Sequence, residues 1–88
     1  MNYKISNSKL SVEISSKGGE LRSIQDAEGK EYLWQGDVAS WTDRGPNLFP
    51  YIGRMTDGQY RYQGKMYHMD IHGFLPYMEM TLVEKKVF

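Results

Sequence analysis

The segment Leu10-Ser11-Val12-Glu13-Ile14-Ser15 places an apolar side chain at every second position. A period of two is typical of a β-strand with one buried and one solvated face. Tyr3 and Ile5 show the same alternation just before it, and Asn7-Ser8 supplies turn residues between the two stretches. The chain is therefore expected to open on an antiparallel hairpin.

Turn residues divide the next part of the chain into short extended stretches. Ser16 to Gly19 breaks the strand pattern, Leu21 to Ile24 resumes it, and Asp26 to Gly29 closes it again. Lys30 to Trp34 then reads as a short aromatic-rich strand. The connections are too short for parallel crossovers, so the fold class is all-β and antiparallel. The residues expected to be buried include Leu10, Val12, Ile14, Leu21, Ile24, Leu48, Phe49 and Ile52.

The second half carries weaker signals. Residues 37–41 allow one helical turn, with Asp37 as its cap. Asp57-Gly58 is a strong hairpin signal, and Gln63-Gly64 predicts a second turn before a return strand at 65–69. The tail from Met78 to Val83 alternates again, which favours a further strand.

Composition limits the functions to consider. The 88 residues, 1–88, are expected to be one domain or a piece of one, and the 11 basic side chains balance the 11 acidic ones. Zero net charge removes the main electrostatic argument for nucleic acid or an anionic membrane as partner. The absence of cysteine excludes disulfides and thiolate metal sites, and the N-terminus has no apolar run of signal-peptide length. We expect a soluble, cytoplasmic protein.

Two constrained segments carry the candidate chemistry. Pro46 to Arg54 contains two prolines and a glycine, which fix the backbone, and ends on a permanent cation. His72-Gly73-Phe74 adds a side chain that titrates near neutral pH. Both candidates have structural alternatives: His72 could be a turn residue bonded to backbone, and Arg54 could pair with Asp57.

Other interpretations of nearby residues were weighed. His68, Asp70 and His72 are spaced two apart, which suits a metal site on one strand face, but Gly73 and the lack of a fourth ligand argue against it. We predict no metal and no other cofactor. Trp34 and Trp41 could stack on a sugar ring, although core packing is favoured for both.

Several motifs fall in order along the chain: Gly19-Glu20-Leu21-Arg22-Ser23-Ile24, Glu31-Tyr32-Leu33-Trp34-Gln35-Gly36, Leu48-Phe49-Pro50, Gly53-Arg54 and His72-Gly73-Phe74. Their order and spacing resemble the aldose 1-epimerase (galactose mutarotase) family, in particular its LacX-like branch. The resemblance implies an antiparallel β-sandwich of which these residues are the N-terminal part, since family members are far longer.

The resemblance also implies a reaction. Interconverting sugar anomers needs a base for the anomeric hydroxyl and an acid at the ring oxygen. By resemblance, His72 assists at the ring oxygen, while Arg54 and Phe74 hold the sugar. The family places a second histidine and the glutamate base well downstream, and the chain's own glutamates are expected to lie far from the site. Relatives continue after His-Gly-Phe with Ala-Arg, whereas Leu75-Pro76 stands here, so a cation that would suit a phosphorylated sugar is missing.

The resemblance leaves three functional hypotheses. The first is an aldose 1-epimerase-like isomerase of which this chain carries part of the site, acting on a small-molecule sugar. The second is a non-catalytic carbohydrate-binding module. The third is a structural domain that associates through exposed strands. Part of a sandwich leaves sheet edges unpaired, so we expect a homo-oligomer with the tail from Tyr77 to Phe88 in the interface.

Overall fold

A computed structural model describes residues 1–86, and their five strands form two antiparallel sheets. The first sheet has the order β1-β2-β3, with β1 at Asn2–Ser6, β2 at Leu10–Ser15 and β3 at Leu21–Asp26. The second pairs β4, Gln59–Tyr62, with β5, Lys65–His68. The helical elements of residues 1–86 are two short 3₁₀ turns, at Thr56–Gly58 and Leu75–Tyr77, and the chain between β3 and the first of them is irregular. The all-β, antiparallel prediction is confirmed.

The register of the first sheet gathers its apolar side chains on one side. Val12 lies opposite Ile5 on β1 and opposite Ile24 on β3, and Ile14 lies opposite Tyr3. Directly opposed residues share a face of the sheet. The apolar residues on this side, called the apolar face below, are Tyr3, Ile5, Leu10, Val12, Ile14, Leu21 and Ile24.

The predicted core is wrong, because residues 1–86 bury no apolar side chain completely. Leu10, Leu21, Phe49 and Ile52 are exposed, the last by 76%, while Val12, Ile14, Ile24 and Leu48 are half-buried. The described chain is only 17 Å thick along its shortest axis, and its radius of gyration is 16.6 Å. A compact chain of this length would have about 12 Å. A sheet buries its face only against a second layer, and the strands of the two sheets make few contacts with each other.

Two predicted turns have different outcomes. Gln63 and Gly64 both have positive φ, 50° and 78°, and close the hairpin between β4 and β5 as predicted. Asp57-Gly58 is not a hairpin turn. It belongs to the 3₁₀ turn that leads into β4, with Asp57 at φ 56°.

Three further predicted elements are wrong within residues 1–86. Lys30 to Trp34 is not a strand, since it makes only one bridge, Glu31 to Gln25. Its backbone is held to β3 by the Tyr32 N–H, which donates to the Ile24 carbonyl at 2.8 Å, and by the Glu31 carboxylate, which accepts the N–H groups of Ile24 and Leu33. Residues 37–41 form a hydrogen-bonded turn in place of a helical turn. Residues 78–83 make one bridge, from Glu79 to Lys17, and the residues of the predicted tail beyond 86 lie outside the described part.

No helix in residues 1–86 is long and apolar enough to cross a membrane.

Candidate functional site

His72 is held by two hydrogen bonds to a single residue, Gly53. The backbone N–H of His72 donates to the Gly53 carbonyl at 2.8 Å, and the Gly53 N–H donates to His72 Nδ1 at 3.0 Å. A backbone N–H can only donate, so Nδ1 is the acceptor and carries no proton. In the neutral ring the proton therefore lies on Nε2, which is left as a hydrogen-bond donor.

Phe49 anchors the residues on both sides of Gly73. Its N–H donates to the His72 carbonyl at 3.3 Å, and its carbonyl accepts the N–H groups of Phe74 at 3.0 Å and Leu75 at 3.2 Å. The approach is so close that a Cβ on Gly73 would lie 2.2 Å from the Phe49 carbonyl oxygen. The His72-Gly73-Phe74 motif thus needs its central glycine to reach the loop that carries Phe49.

The Phe49 and Phe74 side chains also meet. Their ring centroids lie 5.9 Å apart at 80°, an edge-to-face pair. The two rings are 57% and 46% exposed, respectively. Phe74, the predicted substrate-binding aromatic, is therefore accessible and held beside His72 by its neighbour Phe49.

A cleft of about 450 Å³ opens between the end of the first sheet and the His72 segment. That volume lies in the range of about 300–1,000 Å³ found for small-molecule sites. Two cations and two carboxylates balance on its walls, so it is polar without a net charge. Its lining includes Lys17, Glu20, Arg22, Asp43, His72 and Tyr77.

Glu20 corrects one sequence-based expectation. All glutamates were predicted to lie far from the site, yet Glu20 lines the same cleft as His72. One of its oxygens faces Arg22 at 3.4 Å, and the other accepts the Gly45 N–H at 3.2 Å. Both oxygens are engaged, which suits a structural brace better than a free base. In the sequence, Glu20 stands out only as a member of the Gly19-Glu20-Leu21 motif. The motif does not predict that Glu20 lies near His72, because that proximity arises only when the chain folds.

Arg54 follows Gly53 directly, so its backbone lies next to the His72 contact. Its side chain is exposed and does not line the cleft. The alternative ion pair with Asp57 is absent from residues 1–86, where the two ion pairs join Arg22 to Glu20 and Lys86 to Glu84. Cooperation of Arg54 with His72 at a sugar stays a prediction.

The remaining candidates are placed as follows. Within residues 1–86, no three His, Asp or Glu side chains converge to hold a metal ion, so the structure does not assemble His68, Asp70 and His72. Core packing of Trp34 and Trp41 is wrong: they are 51% and 66% exposed, since no second layer covers them. The Trp34 Nε1–H donates to the Trp41 carbonyl at 2.9 Å.

Two curated proteins are similar in sequence to this chain. The chain is 37% identical over 89 residues to two Lactococcus lactis proteins, LacX, chromosomal, and LacX, plasmid. Each match covers 96% of this chain but 30% of the relative. The chain therefore spans less than a third of the curated relatives it matches.

Two solved structures share the fold. A galactose mutarotase related enzyme from Lactobacillus acidophilus is 34% identical with a TM-score of 0.93, over 98% of this chain and 29% of its own. A galactose mutarotase-like protein from Lactobacillus casei is 37% identical with a TM-score of 0.92, over 98% of this chain and 30% of its own. The antiparallel strands seen here thus match part of the fold of these two mutarotase-like structures.

The family model for aldose 1-epimerase matches residues 1–77, which hold the Phe49 loop, Gly53, His72 and Phe74. This chain belongs to the aldose 1-epimerase family.

Proposed function

We propose that this chain supplies part of the sugar site of an aldose 1-epimerase-like isomerase, with His72 at the ring oxygen. The observation that carries the proposal is the hydrogen bond from the Gly53 N–H to His72 Nδ1. This hydrogen bond fixes the orientation of the imidazole ring. Nδ1 is occupied by the Gly53 N–H, so Nε2–H is the group left to contact a ligand.

Ring opening of a cyclic sugar moves two protons. A base removes the proton of the anomeric hydroxyl, electron density shifts into the carbonyl that forms, and the ring C–O bond breaks. The leaving ring oxygen becomes a hydroxyl, and the proton it takes up would come from the second histidine that the family resemblance places downstream. Until that proton arrives, the oxygen also needs a hydrogen-bond donor. A neutral imidazole that presents Nε2–H can stabilise charge developing on this oxygen by hydrogen bonding without itself becoming charged. His72 thus serves as the donor at the ring oxygen, and closure of the ring reverses the steps.

Substrate positioning falls to Arg54 and Phe74 in this proposal. The Arg54 guanidinium stays charged and offers a rigid fork of donors to neighbouring sugar hydroxyls. The partly exposed Phe74 ring offers an apolar face to the sugar carbons. The base and a second histidine, which the family resemblance places downstream, would come from the part of the relatives that this chain does not span.

The proposal predicts binding with little catalysis by these 88 residues. One positioned acid–base group contributes about 10²–10⁴-fold, so a site without its base should hardly accelerate mutarotation. Polarimetry of fresh α-glucose and α-galactose measures the rate for the chain and for His72→Ala and Arg54→Ala. Fast mutarotation that either substitution abolishes would show a complete site in these residues and contradict the assignment of a partial one.

Sugar binding is tested separately by amide chemical shifts during a titration with galactose or glucose at millimolar concentration. Perturbed resonances at Gly53, Arg54, His72 and Phe74 are expected, and His72→Ala should weaken them while His68→Ala should not. Unperturbed resonances at these four residues would contradict the proposed site.

The alternative is a non-catalytic carbohydrate-binding or self-associating β-module. A carbohydrate-binding module predicts the same sugar-induced shifts, and a self-associating module predicts none. Both predict no gain in rate when the remaining part of a mutarotase-like fold is supplied. A cytoplasmic location also stays a prediction, which cell fractionation would check.

A further inference from the structure

The loop at residues 45–50 is tied to the turn between β2 and β3 by one side chain in particular. Both N–H bonds of the Asn47 amide are used: Nδ2 donates to the Gly18 carbonyl at 3.0 Å and to the Gly19 carbonyl at 2.9 Å. Glu20 adds one bond at the start of the loop, from the Gly45 N–H at 3.2 Å. Asn47 thus makes two of these three links between loop and turn.

The same turn is also joined to the segment that follows His72. The Gly18 N–H donates to the Met78 carbonyl at 2.6 Å. A Cβ on Gly18 would lie 2.9 Å from the Pro76 carbonyl oxygen, so the two backbones touch. Because Phe49 holds His72 and Phe74, the contacts form a closed ring of three segments: turn, loop and His72 segment. Each segment is fixed by the other two.

We propose that Asn47 is a positioning residue for His72. It has no described contact with the imidazole, and it acts through the loop at residues 45–50, which carries Phe49 and leads directly to Gly53. If the loop lifts from the turn, the Phe49 carbonyl moves away from Phe74, and the Gly53 N–H moves away from Nδ1. The imidazole then loses the bond that selects its tautomer, so Nε2–H is no longer the fixed donor.

The inference rests on the proposed function only for what His72 does to a sugar. The geometric claim, that Asn47 fixes the tautomer of His72, stands apart from any activity. Its test therefore reads the imidazole directly, and failure of the sugar proposal would leave the result unchanged.

The variant Asn47→Asp keeps the shape of the side chain but replaces its two N–H donors by a carboxylate oxygen. That oxygen would face the carbonyls of Gly18 and Gly19, so both bonds are lost and repulsion replaces them. Asn7→Asp is the matched control. The Asn7 side chain only accepts, from the N–H groups of Lys9 and Leu10 at 2.8 Å each, and an aspartate can do the same.

The measurement is nitrogen NMR of the ¹⁵N-labelled chain, which contains two histidines. His68 is exposed at the end of β5 and serves as the internal reference. In the wild-type protein and in Asn7→Asp, His72 should show an acceptor-type Nδ1 resonance and a coupling through the hydrogen bond to the Gly53 nitrogen. In Asn47→Asp the coupling should vanish, and the two ring nitrogens should shift towards the averaged values of a free imidazole. The His68 resonances should stay in place.

Asn47→Ala is measured in parallel, since it removes the donors without adding a charge. The same loss of coupling in a folded Asn47→Ala protein supports the proposal if the aspartate variant does not fold. A folded variant of either kind that keeps both the coupling and the Nδ1 resonance overturns it.

Discussion

The Glu31 carboxylate accepts the backbone N–H of Ile24 at 2.7 Å, a bond between a side chain and the outer edge of β3. The same carboxylate accepts the Ser23 hydroxyl and the Leu33 N–H. The Ser23 hydroxyl first, and then the two backbone donors, stabilise the charged form and lower the pKa of Glu31 from 4.5 to about 2. The Glu31 side chain thus satisfies a backbone donor at the edge of β3 that a regular strand at 30–34 would have paired.

Glu31→Gln should destabilise the fold in a pH-dependent way. The folded-state pKa lies below the unfolded value, so the carboxylate contributes its full stabilisation above pH 4.5 and loses it as the pH falls towards about 2. Urea unfolding of wild type and variant should therefore differ at pH 7, and the difference should shrink between pH 5 and pH 2. The exposed Glu28, changed to Gln, is the control. A difference that is constant down to pH 2 would contradict this account.

Gly73→Ala should destabilise the chain more than a positive φ alone explains. Gly73 and Gly64 have nearly the same φ, 79° and 78°, but a Cβ on Gly64 meets nothing within 4 Å. Gly64→Ala should cost about 1–2 kcal/mol from the left-handed backbone. Gly73→Ala should exceed that cost because its Cβ would overlap the Phe49 carbonyl oxygen. Denaturant unfolding measures the free energy of unfolding of both variants. Equal losses of stability would show that the Phe49 loop moves aside at little energetic cost.

Local chemistry made part of this fold predictable. The alternation at Leu10–Ser15 gave β2 with the same bounds, because strand period depends only on neighbouring residues. Gln63-Gly64 was placed correctly for the same reason, since a tight turn with positive φ is set by its own two residues.

The failures share a different cause. Ile52 looked buried because it is apolar, but burial needs a second layer, which no periodicity reveals. Lys30 to Trp34 looked like a strand, but the Glu31 side chain competes for the donors that a ladder would use. Glu20 was placed far from His72 because only the folded chain brings the β2–β3 turn against residues 72–76.

The hairpin of β4 and β5 should owe measurable stability to one aromatic pair. Tyr60 and Tyr67 lie directly opposite each other, with ring centroids 5.2 Å apart and planes within 15°. Such pairs contribute about 0.5–1.5 kcal/mol beyond the area they bury. A double-mutant cycle with Tyr60→Ala and Tyr67→Ala should give a coupling energy in this range. Tyr62, which is 61% exposed and lies diagonal to Tyr67 on the same face, provides the comparison cycle with Tyr67 and should show a smaller coupling.

The exposed apolar face also bears on association. Ile5 and Leu10 are 44% and 46% exposed, and Val12, Ile14 and Ile24 are only half-buried. Contiguous exposed apolar side chains mark interaction surfaces, and a net charge of zero gives no repulsion to oppose contact. The isolated chain should therefore form dimers or larger oligomers at micromolar concentration.

Sedimentation velocity of wild type and Ile5→Thr tests this prediction. Threonine keeps the strand propensity of position 5 but removes apolar area from the edge strand of the face, so the variant should shift towards monomer. Val38→Thr is the matched control, since Val38 is 96% exposed and lies outside the sheet. Deletion of residues 77–88 should weaken association as well. A wild-type chain that sediments only as monomer, or an assembly that neither Ile5→Thr nor the deletion affects, would show that the apolar face and the tail do not mediate self-association.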